Sequence, residues 1–182
     1  LVAGAQAMKV GHALGEGTQI GPVVSEQQLN ENLSYVEKGN AAGAELACGG
    51  ERVTRDTEGY FMTPGVFLNS TNDMVINREE MFAPLACVIK VGSYEEALHT
   101  VNDTNFGLTS GIVTKSLARA THFRRNAHTG CVMVNLPTAG TDYHVPFGGR
   151  GDSSYGPREQ GSYAAEFYTT VKTAYISSGM PE

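Results

Sequence analysis

The sequence predicts an α/β fold of three layers, a mainly parallel sheet with helices on both faces, and three observations carry that prediction. Short runs rich in Val and Ile alternate with segments of helical spacing between residues 85 and 135. The helical segments have the length of a crossover between parallel strands, which covers a sheet face as it returns. The 182-residue chain is 41% apolar and 18% charged, an ordinary globular composition sufficient for one domain with a substantial core.

Taken in order, residues 1–10 read as the end of an amphipathic helix. Together with a first residue other than Met, this suggests a piece of a longer protein. A Gly/Pro-rich loop leads to Ser25, an N-cap with Gln28 three places on, which predicts a helix to about Asn40. Residues 43–50 read as a turn and a short strand, and 51–60 as a polar hairpin or loop. Strands are expected at Gly65–Leu68 and at 85–91, 111–114 and 130–135. Between them, Ala97, Leu98 and Val101 mark one helix over 93–103, with Ser93 and Glu96 as a capping box. Leu117, Ala120 and Phe123 mark another over 116–127. After Gly149 come a Gly/Ser loop, a short helix near 158–167, and an extended stretch over 168–176 with β-branched residues at alternate places. That last strand has no partner left in the chain.

A formal charge of −6 and a pI near 5.4 argue against a nucleic-acid or acidic-membrane partner, because phosphate binding needs clustered positive charge. Arg124-Arg125 is the densest basic spot and fits a solvated helix face. No apolar run approaches the roughly 18 residues that span a bilayer, and no charged-then-apolar leader opens the chain, so the expectation is a soluble, cytoplasmic protein. Cys48, Cys87 and Cys131 are too scattered for a metal pair and odd in number, so neither a metal site nor a disulfide framework is expected. Cys87 and Cys131 fall in apolar strand-like runs, where a small buried thiol is inert, and none of the three is expected to be a nucleophile.

The segment Asn77-Arg78-Glu79-Glu80-Met81-Phe82-Ala83-Pro84 places a carboxylate and an aromatic ring two positions apart before a strand. In an extended chain, Glu80 and Phe82 would share one face and Glu79 and Met81 the other. A sugar diol and a flat ring could be held there, as in the ribose and nicotinamide of a dinucleotide. A solvated Glu beside a buried Phe is the plainer alternative.

Further motifs follow: Asn102-Asp103-Thr104-Asn105-Phe106-Gly107-Leu108, then Val145-Pro146-Phe147-Gly148-Gly149, Gly156-Pro157-Arg158-Glu159-Gln160-Gly161, and Glu166-Phe167-Tyr168-Thr169-Thr170-Val171-Lys172-Thr173. With the Glu-Met-Phe-Ala-Pro segment, in this order, the series resembles the aldehyde dehydrogenase superfamily over about residues 11–176. The resemblance implies that residues 1–160 are part of the catalytic domain. It implies that 161–182 are a helix end and an oligomerisation strand, so that a homo-dimer or homo-tetramer is expected.

It also implies NAD or NADP as cofactor and a small-molecule aldehyde as substrate. Glu80 matches the family residue that holds the nicotinamide ribose, and Phe82 the ring beside the nicotinamide. Ala83 departs from the usual Gly by one methyl group. Phe147 matches the aromatic lining the aldehyde entrance, with Gly148 and Gly149 expected to permit positive φ behind it. Glu159 matches a carboxylate suspected of relaying a proton, although Pro157 is an extra residue that unsettles the register there; a salt bridge or a helix-start carboxylate fits Glu159 as well.

The family's nucleophilic Cys and general-base Glu lie upstream of the matched region, so neither is assigned to a residue here. By this reading the 182 residues alone are inactive, and the rival is an inert assembly or binding module. By the resemblance, the loop 135–147 occupies the family's substrate position; it is polar, with Thr138, Thr141, Tyr143 and His144 as possible donors. Thr141 is the expected substrate contact, and His144 fits a satisfied loop histidine better than a base. The loop's wording is similar to that of bacterial α-ketoglutaric semialdehyde dehydrogenases, which implies a small oxo-acid semialdehyde as substrate.

Overall fold

Helix formation begins where the caps predict it. After the short helix α1 (Val2–Gln6), Ser25 adopts an extended conformation and its side chain accepts a hydrogen bond from Gln28 N at 3.1 Å, opening helix α2 (Glu26–Ala41). The computed structural model describes residues 1–179, and the chain divides into two compact units, Leu1–Ala97 and Leu98–Glu182.

In the first unit, strand β1 (Glu45–Cys48) is followed by a hairpin of β2 (Arg52–Val53) and β3 (Phe61–Met62), as the polar 51–60 stretch predicts. Strand β4 (Gly65–Leu68) then runs antiparallel to β1 and parallel to β5 (Leu85–Cys87), with the one-turn helix α3 (Val75–Arg78) between β4 and β5 in sequence. The core forms on the middle strand β4 and on β3: Phe67 of β4 and Met62 of β3 are fully buried, with Leu29, Tyr35 and Val36 of α2 and Ile76 of α3 in the same cluster. Burying rings and branched chains of this size stabilises the unit by about 1.5–3 kcal/mol each. Strand β5 is shorter than the expected 85–91. Its pairing continues only through Val88, whose N donates to Phe67 O at 2.9 Å. Beyond Leu68 the partner strand turns away at Asn69, which has a left-handed φ of 56° and leaves 89–91 without a ladder.

Helix α4 (Tyr94–Asn102) opens as a variant of the expected capping box. Glu96 N donates to Ser93 Oγ at 3.0 Å, while the Glu96 carboxylate accepts from Gly92 N, one residue before the cap, at 2.6 Å.

In the second unit, β6 (Thr109–Ile112), α5 (Leu117–Asn126) and β7 (Cys131–Val134) form a parallel βαβ element. Strand β6 starts two residues before the expected 111–114 run. At its far end Thr114 is tied by the Asn135 side chain, whose Oδ1 accepts from Thr114 N at 2.8 Å and whose Nδ2 donates to Thr114 O at 2.9 Å. Asn102 clasps the end of α5, donating to Asn126 O and accepting from His128 N, both at 2.8 Å. The α/β class and the parallel pairs β4–β5 and β6–β7 agree with the sequence prediction; among the described residues the strands form three sheets, with β1–β4–β5 mixed, β2–β3 antiparallel and β6–β7 parallel.

The helix expected over 158–167 starts later, as a 3₁₀ turn (Gly161–Tyr163) running into α6 (Ala164–Tyr168). Gln160 and Gly161 have φ of 64° and 52°, which a right-handed α-helix cannot accommodate, so α6 begins beyond them. The strand expected over 168–176 is absent from this chain: Tyr168 ends the helix and residues 169–179 form neither helix nor strand. Residues 180–182 of the expected C-terminal segment lie outside the described residues. Among the described residues no helix is long and apolar enough to cross a membrane.

A Cβ added at Gly39 would sit 2.8 Å from two ring carbons of Phe67 and 3.2 Å from Ile76 Cδ1. Gly39→Ala is therefore expected to destabilise the chain by about 1–3 kcal/mol through overpacking, against a helix-propensity gain of only about 1 kcal/mol. Urea unfolding followed by circular dichroism checks it, and an unchanged or raised midpoint would show that the α2–β4 contact can relax.

Candidate functional site

The Glu79–Pro84 segment leaves helix α3 and enters β5 as an irregular turn, in place of the continuous extended run expected from the sequence. Phe82 is the reason. Its φ is 47°, in the left-handed region, where a side chain with a Cβ costs about 1–3 kcal/mol and persists only if the surroundings over-determine it. The facing that strict alternation predicts nevertheless results. Met81 packs on the core, whereas Glu80 is exposed and the Phe82 ring is 75% exposed. Phe82 borders an apolar groove of about 310 Å³, with Ile20, Pro22, Val24, Met62 and Pro84 among its lining residues.

Helix α2 holds this segment from behind. Tyr35 Oη donates to Glu79 Oε2 at 2.9 Å, and that bond, followed by burial and the charges of Glu79 and Glu31, holds the Tyr35 hydroxyl above its ordinary pKa. Gln28 Nε2 lies 2.8 Å from Asn32 Oδ1 and 3.4 Å from Met81 O. Turning the Asn32 amide about puts its nitrogen 3.2 Å from Met81 O, so in either orientation the Gln28–Asn32 pair gives Met81 O a donor. Asn32 is fully buried, and Gln28, Asn32 and Tyr35 fall at i, i+4 and i+7 on one helix face. The sequence pointed to Gln28 only as a capping residue and did not single out Asn32 or Tyr35. The signal was there in two amides and a phenol at helical spacing among apolar neighbours, though nothing in one dimension says what they face.

In the second unit the structure brings Phe147 and Glu159 together. Their backbones form an isolated antiparallel bridge, with Phe147 N donating to Glu159 O and Glu159 N to Phe147 O, both at 2.8 Å. The extra Pro157 thus leaves Glu159 opposite Phe147. Arg158 lies over Gly130 and Gly148: a Cβ at Gly130 would fall 1.8 Å from Gly148 O and 2.4 Å from Arg158 Nη1. Gly149 departs from expectation. It does not adopt positive φ, and its requirement is space, since a Cβ there would meet Ser153 O at 2.8 Å. The Asn102–Leu108 motif supports this corner, because Gly107 O accepts from both Gly130 N and Arg150 N, and Phe106 bridges Gly151.

Glu159 borders a cavity of about 730 Å³ shared with Tyr143, His144, Gln160, Phe167 and Tyr168. Of the loop residues proposed from sequence, Tyr143 and His144 line this cavity, whereas Thr141 is exposed and Phe147 half-buried outside its lining. The cavity can offer a carboxylate, an imidazole and phenol hydroxyls to a polar ligand. Among the described residues no group of three or more His, Cys, Asp or Glu could hold a metal ion.

Comparison with known proteins gives the frame for these parts. The model of the aldehyde dehydrogenase family matches residues 1–174. An α-ketoglutaric semialdehyde dehydrogenase of Bacillus subtilis is 41% identical over 169 residues, covering 92% of this chain and 35% of that protein. A betaine aldehyde dehydrogenase of Brucella anthropi is 39% identical over 181 residues, covering 98% of this chain and 37% of its own length. Among solved structures, the NAD+ complex of an aldehyde dehydrogenase from Bacillus cereus superposes with a TM-score of 0.91 at 36% identity, covering 98% of this chain and 36% of that one. The chain spans about a third of the length of these relatives, and it belongs to the aldehyde dehydrogenase family.

The half-buried Cys87 donates to Ile76 O at 3.8 Å, and burial pushes its thiol above the ordinary pKa. A raised pKa leaves less thiolate at a given pH, so Cys87 is expected to react with iodoacetamide at pH 8 more slowly than an unstructured cysteine peptide. Timed alkylation read by peptide mass spectrometry checks this, and equal rates would show that the thiol is not held in the core.

Proposed function

We propose that this member of the aldehyde dehydrogenase family supplies cofactor- and substrate-facing parts of an NAD(P)-dependent enzyme that oxidises a small oxo-acid semialdehyde, with α-ketoglutaric semialdehyde the leading candidate, to the carboxylate. The observation that carries the reading is the outward presentation of Glu80 and Phe82 while Glu79 and Met81 are held against helix α2.

These residues fit the nicotinamide riboside end of NAD or NADP. The exposed Glu80 carboxylate can accept hydrogen bonds from both ribose hydroxyls, and the exposed Phe82 ring offers a flat apolar face beside a groove. The chemistry that the cofactor supplies is hydride acceptance from the aldehyde carbon. Thr141 and Phe147 are assigned to the aldehyde's approach and Glu159 to proton relay. The exposed Glu159 carboxylate beside a cavity, opposite Phe147, supports that assignment. The nucleophile and the general base are assigned to no residue of this chain, so the 182 residues alone are read as inactive. The polar 135–147 loop and the name of the Bacillus subtilis relative support the oxo-acid substrate.

The expected outcome in the whole protein containing this chain is a higher kcat/KM for oxo-acid semialdehydes than for alkyl aldehydes of equal length, measured with NAD and with NADP. Glu80→Gln should lower cofactor affinity or hydride transfer by about 1–2 kcal/mol with little change in melting temperature. Cofactor kinetics indistinguishable from the parent's would remove Glu80 from the site.

A second reading, assembly, is favoured by one observation. Residues 169–179 form no strand within the chain, and their apolar Val171, Tyr175 and Ile176 are exposed. We assign 161–182 to a helix end and an intersubunit strand and 1–160 to the catalytic part, with a homo-dimer or homo-tetramer as the assembled state. Deleting everything after Phe167 is expected to give a lower-order species in analytical ultracentrifugation, and an unchanged sedimentation coefficient would refute the assignment.

A further inference from the structure

The backbone that carries Glu80 and Phe82 has little support of its own. Its nearest backbone anchors are Glu79 N, which donates to Val75 O at the end of α3, and Pro84 O, which accepts from Gly65 N, both at 2.9 Å. Between them, residues 80–83 make no backbone–backbone hydrogen bond among the described residues. Within that span Phe82 sits at φ 47°, a conformation a free turn would leave. The groups that reach the segment from behind are side chains of helix α2: Tyr35 Oη on the Glu79 carboxylate, and the Gln28–Asn32 pair on Met81 O. The helix is immobilised from below, since Leu29 and Val36 on the same side are buried against Phe67 and Met62.

We infer that Tyr35 and Asn32 are positioning residues, pinning the turn 79–82 to helix α2 in the conformation that presents Glu80 and Phe82 outward together. The inference rests on the reading of Glu80 and Phe82 as the pair that holds NAD or NADP. Two adjacent glutamates then take different roles, Glu79 as the anchor and Glu80 as the ligand. Without the Tyr35 bond, Glu79 is exposed enough to be re-solvated, and Phe82 can relax toward an ordinary φ. The competent turn then becomes a fraction of the population, and cofactor affinity falls by that fraction. Saturating cofactor restores the competent form, so kcat is preserved.

The test uses the whole protein and the dissociation constant for NAD+ measured by titration calorimetry. Tyr35→Phe keeps the ring in the core and removes only the hydroxyl. It is expected to weaken NAD+ binding by about three- to tenfold, with kcat at saturating cofactor, the KM for aldehyde and the melting temperature nearly unchanged. Glu79→Ala, which removes the same bond from the exposed side, should reproduce the loss even if Tyr35→Phe folds poorly. Glu79→Gln retains an oxygen for the hydroxyl and should bind as the parent does. Combined with Glu80→Gln, Tyr35→Phe should add less than its own separate loss, because both act on one contact.

Fully additive losses, or a Tyr35→Phe variant that binds NAD+ as the parent does while Glu80→Gln does not, would overturn the positioning role. If Glu80→Gln alone leaves NAD+ binding intact, the reading of Glu80 and Phe82 as the cofactor-holding pair fails and the positioning role falls with it.

Discussion

The close approach of helix α2 to the middle of its sheet is the constraint on which the candidate cofactor corner depends. Gly39 has no side chain where the ring of Phe67 and the end of Ile76 press against the helix, and a Cβ at that point would stand 2.8 Å from the ring. That contact fixes the distance between the helix and strand β4, and hence how far side chains on the helix can reach. At this separation a phenol and an amide pair span the gap to the turn after α3. A helix lifted outward would place those donors beyond hydrogen-bond range, because Gln28 Nε2 already stands 3.4 Å from Met81 O, at the long end for such bonds.

The same economy of structure recurs in the second unit, where glycine again sets how closely two backbones meet. Gly130 passes under Gly148 O and the Arg158 guanidinium, and this permits the bridge that sets Phe147 against Glu159. The Asn102–Leu108 motif, one of those on which the family resemblance rests, acts here through its backbone: Gly107 O receives two donors and Asn102 closes the end of α5. A motif that looks chemical in a sequence can owe its residue types to buried backbone groups that must each find a partner.

Much of this fold was legible before the structure. The caps at Ser25 and Ser93 announced two helices, because a hydroxyl ahead of a helix satisfies an orphan amide within three residues, and that is a purely local matter. The ends of β5 and of the last helix were not legible. Both are set by left-handed residues, Asn69 and Gln160, of which Gln rarely adopts that region, and by where a partner strand happens to stop.

By itself, the sequence determined the α/β class, the family and the identity of Glu80 and Phe82 as an outward pair, since period, caps and motif order are properties of the chain alone. Tertiary structure decided how that pair is presented. Alternation in an extended strand was the right answer for the wrong backbone, because Phe82 reaches solvent through a left-handed turn pinned by residues some fifty places earlier. It also decided which of two neighbouring glutamates receives the Tyr35 hydroxyl, and which loop donors share a cavity with Glu159. Burial, distance and the pairing of buried polar groups are set by what packs against a residue, and no single segment of sequence contains that information.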